Sequence, residues 1–440
     1  MLFSSSDLAK INQVAAISNT SLEPPKTKQK YSSLTTELTA RSHEVQTYFS
    51  DSEAELITTK EQLHDYISAI IEFGYAGIDT ETTGLDRIKD TIVGMSLYVP
   101  GKPEVYIPMK HIVPIFEIPY PHQLSYEDIQ PELQRLVDNK VKLIFANADF
   151  DLAMIVKDIK ASLAEICYYD VQVAWRCIKD NEPSNRLKDL YVKYVLKNQV
   201  EAKKFSDFFT PELFPLSDPK VAMLYAANDA KITYLLYKWQ VKYLTPSNPA
   251  CQKRKLEATA SIFWNIEMPL VKICHKMHRT GIYLDRSIST ILKDRYGAKI
   301  FAARQKLIAE LDKVLASSVI DTTKKPPFKS SKDFNPDSNP HVAYLIYDIL
   351  KVPTPDGSRT TDKGFLKQLN FPVVKQILAV RSLGTLISTF VDKLPTSVTE
   401  DSRIHATFKH VGTKTGRFSS AEPKSYWAST VNPITQGCVV

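Results

Sequence analysis

Two acidic residues spaced by two, Asp79 and Glu81, end a short apolar run from Tyr75 to Ile78 that follows Gly74. Such a run reads as a buried strand, and residues i and i+2 of a strand point to the same side of the sheet. Two carboxylates held side by side repel, so the pair is costly unless a cation fills the gap. Hard oxygen ligands of this type suit Mg²⁺ or Mn²⁺. Taken alone, an Asp-x-Glu triplet in an exposed turn is most often only solvated.

Two further blocks change that balance. Asp151, in Phe145-Ala-Asn-Ala-Asp-Phe-Asp, follows a second apolar strand, Val141–Phe145. It lies in the first turn of a helix, where the dipole tolerates negative charge, and either Asp149 or Asp151 would serve there as a cap. Tyr225 and Asp229, in Tyr-Ala-Ala-Asn-Asp, share one face of a long helix at i,i+4 spacing. Alone, that block reads as a helix face that happens to carry both. Together, four carboxylates and a tyrosine could converge on two divalent ions about 4 Å apart, one activating a water and the other stabilising a leaving 3′ oxygen. No His, Cys or Ser arrangement competes. His275 and His278 lie three apart on a helix without carboxylate or Cys companions and read as packing or surface residues. There is no Walker A sequence and no paired-Cys zinc motif.

The elements that would position these groups follow from periodicity. Thr59 and Gln62 form a capping box ahead of Leu63, Tyr66, Ile67, Ile70 and Ile71 at helical spacing. Strand-like Ile92–Val99 and Val105–Pro108, a helix over 125–137, strand-like Ile166–Tyr169 and helices at Val171–Ile178 and Leu187–Leu196 come next. A helix after Pro219 runs to about Trp239, completing an α/β domain over 54–245. Beyond Pro246 the patterns are helical, at Leu256–Met277 with a break at Pro269, Ile291–Leu315, Val342–Leu350, Lys363–Leu369 and Val373–Leu394. A basic connector (Lys324, Lys325, Lys329, Lys332) interrupts them, reading equally as a solvated loop or as phosphate contacts. Residues 1–53, rich in Ser, Thr and Lys and broken by Pro24-Pro25, read as a flexible tail with some transient helix.

Composition narrows the class. At 440 residues the chain holds two to four domains, and 43% hydrophobic with 24% charged residues excludes wholesale disorder. Five scattered cysteines favour a reducing compartment over a disulfide framework. No run of about 18 apolar residues marks a membrane span, and the segment MLFSSSDLAK has no secretory pattern. Residues 246–440 carry 29 basic against 16 acidic residues, whereas 1–245 carry 27 against 33. A basic half beside a slightly acidic one suits a polyanion-binding part joined to a part with another task, or simply a solvated basic surface.

The order DTETTGL, NADFD, YAAND resembles the three motifs of DEDD-type 3′→5′ exonucleases, in the subclass with Tyr four residues before the last Asp. That resemblance implies a ribonuclease H-like α/β fold and two divalent cations (Mg²⁺ or Mn²⁺) on Asp79, Glu81, Asp151 and Asp229. Asp79 would bridge the ions, and Tyr225 with Glu81 would orient the attacking water. Thr80, Leu85 and Asn147 would meet the substrate, Leu85 by packing on the terminal base. RNase D-type enzymes share these motifs. The second half is similar to family A DNA polymerases, of the DNA polymerase I type. The match runs through IEMPL and TGIYLD, FNP, SNP and RTTD, Arg381-Ser-Leu383, Arg403-Ile-His-Ala-Thr-Phe408 and Thr415-Gly-Arg-Phe-Ser-Ser420. This implies a mainly helical thumb and the start of a palm over 246–423, with Arg417 approaching the primer terminus in the minor groove.

After Pro423 the resemblance stops, and residues 424–440 read as a divergent tail. Without the palm carboxylates and fingers helix, no synthesis is expected of this chain alone. A frameshift, an intron or a split gene would account for the break, with a second polypeptide supplying the rest; the flap-nuclease domain is also expected to be absent. The reading is a monomeric, truncated family A polymerase portion for DNA replication. It proofreads DNA 3′ ends, binds single-stranded ends and primer–template duplex but no membrane, and works in bacterial or phage-infected cytoplasm. The rival readings are a free-standing RNase D-type enzyme and a non-catalytic DNA-binding fragment.

Overall fold

The computed structural model describes residues 28–421 apart from 115, 180–183, 200, 202, 319–325, 355–356 and 414. The expected divergent tail and two connector lysines, Lys324 and Lys325, lie outside the described residues, as do residues 1–27. The chain divides into two units. One ends at Arg279 and regains Thr407–Ser419; the other comprises Thr280–Ala406 and the chain from Ser420.

The first unit is built on a six-stranded sheet. Its strands are β1 (Glu55–Leu56), β2 (Tyr75–Thr82), β3 (Ile92–Tyr98), β4 (Val105–Pro108), β5 (Lys142–Phe145) and β6 (Cys167–Asp170), in the order β1-β4-β3-β2-β5-β6. The β2–β3 and β3–β4 pairs are antiparallel, whereas β1–β4, β2–β5 and β5–β6 are parallel. An antiparallel meander feeding parallel strands through helical crossovers is the α/β pattern expected from the sequence. Helix α1 (Lys28–Tyr48) precedes the sheet, and α2 (Lys60–Phe73) starts at the expected capping box. There Gln62 N donates to Thr59 Oγ1 at 3.3 Å and Thr59 N donates to Gln62 Oε1 at 3.1 Å. Leu63, Ile67 and Ile70 are buried against the sheet, and Gly74 ends the helix in the left-handed region at φ 81°. Helix α3 (Tyr126–Asp138) carries a second capping box, Ser125 with Asp128. Helices α4 (Ala148–Asp158), α5 (Val171–Ile178), α6 (Leu187–Leu190) and α7 (Pro219–Gln240) complete the parts that position the site.

Two expectations need correction. Residues 28–48 are not part of a flexible tail but form α1, whose Leu38 and Val45 are buried. Arg41 Nη1 donates to Phe208 O at 3.0 Å, and Val45 joins Phe208, Phe209, Phe214 and Tyr225 in one apolar cluster. Polar composition concealed a helix that needs only a few apolar contacts on one face. Val45→Asp would bury an unpaired carboxylate there, an expected loss of at least ~2 kcal/mol. Limited proteolysis should then cut within 28–48 ahead of the rest of the unit, and a wild-type cleavage pattern would contradict this packing.

The second correction concerns the boundary at 245/246. Ala260, Phe263, Met268 and Val271 belong to the α/β unit's own core. Phe263 lies 5.0 Å from the Tyr169 ring, and Trp264 Nε1 donates to Leu244 O at 2.7 Å. The helical pattern beyond Pro246 is correct, but its first stretch packs on the sheet domain.

The second unit is mainly helical. Helix α8 (Arg286–Ser317) contributes Leu307 and Leu311, and α9 (Pro372–Leu386) contributes Val373, Val374, Ile377 and Val380, to a core shared with Val342, Leu345, Ile346 and Leu366. Arg381 fixes α9 by donating to Thr361 O at 3.2 Å, Pro336 O at 2.5 Å and Asn339 Oδ1 at 3.3 Å. By length and composition the stretch Pro372–Ser397 is apolar enough to cross a membrane, which qualifies the sequence-based exclusion of a span. Its buried valines and isoleucine and the bonded Arg381 give that apolar face an alternative place, in a protein core.

Candidate functional site

The site is assembled where α7 presses on β2. A Cβ at Gly77 would meet Ala230 O at 2.2 Å, so only glycine allows this approach. Asp229, one residue before Ala230, is thereby set beside Asp79, two residues beyond Gly77. Across the sheet Asp79 pairs with Ser96 and Glu81 with Gly94, and the register shifts between Glu81 and Thr82. Asp79, Glu81 and Asp229 are half-buried, and each offers a carboxylate oxygen within 4.8 Å of the others.

Asp151 is buried and takes a separate position. Its Oδ1 accepts from Thr80 N at 3.1 Å and Thr80 Oγ1 at 2.6 Å. The four carboxylates expected to converge are therefore arranged as three with Asp151 alongside. Thr80, expected to meet substrate, commits its hydroxyl to Asp151. Neither Asp149 nor Asp151 caps α4. Asn147 holds the N-cap position at φ 74° without a side-chain cap, and Asp170 Oδ2 accepts from Ala148 N at 2.7 Å. The other oxygen of Asp170 accepts from Gln172 N at 2.8 Å and Val173 N at 3.2 Å, so one buried carboxylate ties the starts of α4 and α5. Asp149 instead pairs with Arg87 at 3.0 Å, joining the loop after β2 to α4.

Tyr225 is buried among Phe49, Phe205, Phe208 and Phe209, with centroids 5.7–6.3 Å from its own ring. Burial, then the charges of Asp229, Glu81 and Asp79, hold its phenol well above the usual range. Leu85 is 65% exposed, and Asn147 is exposed as well. Arg417 is exposed, and its carbonyl accepts from Thr413 Oγ1 at 2.7 Å. His275 and His278 are buried packing residues, and burial pushes His275 down to about 4.

Sequence reasoning missed three supports. Asp170 is one. A second is the chain from Tyr106 through His111 to Ser217. His111 Nδ1 lies 3.1 Å from Ser217 O, which can only accept, so Nδ1 carries the proton and Nε2 accepts from the Tyr106 hydroxyl at 2.9 Å. Burial lowers His111 to about 3 and keeps it neutral. The chain links β4 to the residue before Asp218, the N-cap of α7. The third is Lys188 on α6, whose Nζ lies 3.1 Å from Asp229 Oδ1 and 3.5 Å from the Tyr225 ring centroid.

The electrostatics follow from crowding and burial. Burial and the charges of Asp151, Asp229 and Glu81 raise Asp79 well above the usual carboxylate range, against the pull of Lys188. Burial and Asp229 push Glu81 up to about 8. Burial lifts Asp151 to about 7 despite the bonds from Thr80, and raises Asp229 against Lys188. Asp229 Oδ1 is buried and faces Lys188 Nζ at 3.1 Å, outside good hydrogen-bond alignment. A set of hard, mutually repelling oxygen donors could hold a metal ion.

The two halves also match known families. Residues 54–242 match the 3'-5' exonuclease family model, and residues 305–424 match that of DNA polymerase family A. The first part is thus similar to 3'-5' exonucleases and the later part to family A DNA polymerases. This places the chain among nucleotide-processing enzymes, with an exonuclease domain followed by polymerase-family sequence. Among similar proteins, DNA polymerase I of Pseudomonas aeruginosa is 24% identical over 81% of this chain and 37% of its own length. The DNA polymerase of Escherichia phage T5 is 23% identical over 87% of this chain and 44% of its own. The chain thus spans less than half the length of these relatives. The solved POL domain of Pol1 from M. smegmatis, in complex with DNA primer-template and dNTP, has a similar fold (TM-score 0.57, 17% identity, 84% of this chain and 55% of that one).

Proposed function

We propose that this chain hydrolyses DNA 3′ ends, as the proofreading exonuclease part of a family A replication polymerase. The observation that carries this reading is the trio Asp79, Glu81 and Asp229, with oxygens within 4.8 Å beside buried Asp151, inside the segment matching the exonuclease family. Asp79, Glu81 and Asp229 would hold one or both of two divalent ions (Mg²⁺ or Mn²⁺), and Asp151, turned away from Thr80, would complete the set. Bound there, such ions lower the pKa of a coordinated water and neutralise charge on the departing 3′ oxygen.

The chain's own residues then divide the work. Glu81, ionised when a divalent ion is held beside it, orients the attacking water. Tyr225, kept protonated by its surroundings, donates a hydrogen bond to the same water. Leu85 offers an exposed apolar surface for the terminal base, and Asn147 a polar group beside it. The basic helical part would grip duplex backbone, with Lys329 and Lys332 exposed for phosphates and Arg417 directed to the minor groove. Monomeric action in bacterial or phage-infected cytoplasm belongs to the same reading.

Labelled single-stranded DNA and RNA oligonucleotides incubated with Mg²⁺ or Mn²⁺ test it. DNA shortened one nucleotide at a time from its 3′ end is the expected result, and preferential RNA trimming would favour an RNase D-type enzyme. Binding without metal-dependent cleavage would favour a DNA-binding role alone. Tyr225→Phe keeps the aromatic packing and removes only the hydroxyl, so kcat should fall about 10- to 100-fold with KM nearly unchanged. Steady-state kinetics on a 3′-labelled oligonucleotide would show it, and an unaltered kcat would remove Tyr225 from the mechanism.

A further inference from the structure

Lys188 has no place in the mechanism above, yet it is the cation in contact with Asp229. Its ammonium lies 3.1 Å from Asp229 Oδ1 and 3.5 Å from the centre of the Tyr225 ring, whose face attracts cations. Both side chains are largely buried, at 18% and 13% exposure, and the 3.1 Å approach of Nζ to Oδ1 misses good hydrogen-bond alignment. A bidentate or well-aligned pair would be locked by directed bonds. Here the ammonium is instead held by charge and by the ring, an arrangement that a competing cation can displace. Leu190, buried two residues on, anchors α6, and its N–H donates to Arg186 O at 3.0 Å, so the backbone that carries the lysine is held in place.

We propose that Lys188 is a tethered counter-cation of the carboxylate cluster, competing with the divalent ion for Asp229 and setting how tightly that ion binds. The inference rests on the metal-centre reading of Asp79, Glu81 and Asp229. In the metal-free protein one positive charge partly offsets three carboxylates. When a divalent ion binds, the two cations repel across a few ångströms, and the ammonium must leave Asp229. Lys188 thus stabilises the metal-free site and weakens metal binding.

Titration calorimetry with Mg²⁺ on the full chain at pH 8.5, without DNA, reads this directly. Lys188→Met should bind Mg²⁺ about tenfold more tightly than wild type, an effect that shrinks at high salt. Lys188→Arg, which keeps the charge, should stay near wild type. The melting temperature gives a second reading. Lys188→Met should melt lower than wild type without metal, while Mg²⁺ restores the difference, so the gap between metal-free and metal-saturated protein widens. A purely structural lysine would lower both melting temperatures in parallel, and that result, or unchanged or weaker Mg²⁺ binding, overturns the proposal. If Lys188→Met does not fold in either condition, Lys188→Gln takes its place with the same expected readings. Asp79→Ala separates the two levels. Wild-type binding that disappears in Asp79→Ala while Lys188→Met matches wild type refutes the counter-cation alone. No Mg²⁺ binding by wild type refutes the metal centre and the counter-cation together.

Discussion

Asp79→Asn is expected to lower metal-dependent release of nucleotides from DNA 3′ ends by at least ~1000-fold, equivalent to about 4 kcal/mol of transition-state stabilisation. Asp79 lies with Glu81 and Asp229 within 4.8 Å, and burial with the charges of Asp151, Asp229 and Glu81 raises its carboxyl well above the usual range. The amide keeps its size and position on β2 but removes the charge that would bind both ions. The fold should not suffer. Three neighbouring carboxylates lose a repelling partner, so the metal-free variant should melt at or above the wild-type temperature. Catalysis and stability therefore move in opposite directions, which separates loss of chemistry from loss of structure. A 3′-labelled oligonucleotide assay beside a thermal melt would check both. Wild-type turnover in Asp79→Asn would refute the site.

Much of this arrangement was readable because it rests on local patterns. Thr59 with Gln62, the apolar runs before Asp79 and Asn147, and the Tyr225–Asp229 spacing each signal their element within a few residues. Matching each block to a strand end or a helix face was enough to bring four carboxylates to one region. What could not be read depended on distant partners. Lys188 looks like any solvated lysine beside Leu187 and Leu190 until α6 is laid against α7. Asp170 looks like an ordinary strand-end acid, yet it satisfies a donor on α4 across 22 residues. The helix in 28–48 was hidden because its fold depends on Phe208 and Tyr225, far along the chain. The boundary expected at 245/246 falls after Arg279 for the same reason. Helical periodicity records that Phe263 and Met268 must be buried, but not that Tyr169 lies opposite them.

Without divalent ions, the first unit should lose stability as pH rises between about 5 and 8. Ordinary carboxylates in the unfolded chain titrate near 4, whereas in the folded protein burial and repulsion place Asp151 at about 7 and Glu81 at about 8. Between those limits the folded state binds more protons than the unfolded one, so each added pH unit favours unfolding. Each fully shifted group adds a slope of at most about 1.4 kcal/mol per pH unit, less for half-buried Glu81, where solvent screens the charge. Below pH 4 both states are protonated and this contribution to stability is complete; above pH 8 it is gone. A divalent ion reverses the trend because it requires the ionised carboxylates, and at 100 times its dissociation constant it adds about 2.7 kcal/mol. Melting temperatures at pH 5, 6, 7 and 8, with and without Mg²⁺, should therefore diverge towards the alkaline end. In Asp79→Asn the metal-free decline should be shallower and the Mg²⁺ effect largely absent. Melting curves for wild type that ignore both pH and Mg²⁺ would mean that these carboxylates do not share a site, because neither mutual repulsion nor its relief by a cation would then act on the fold.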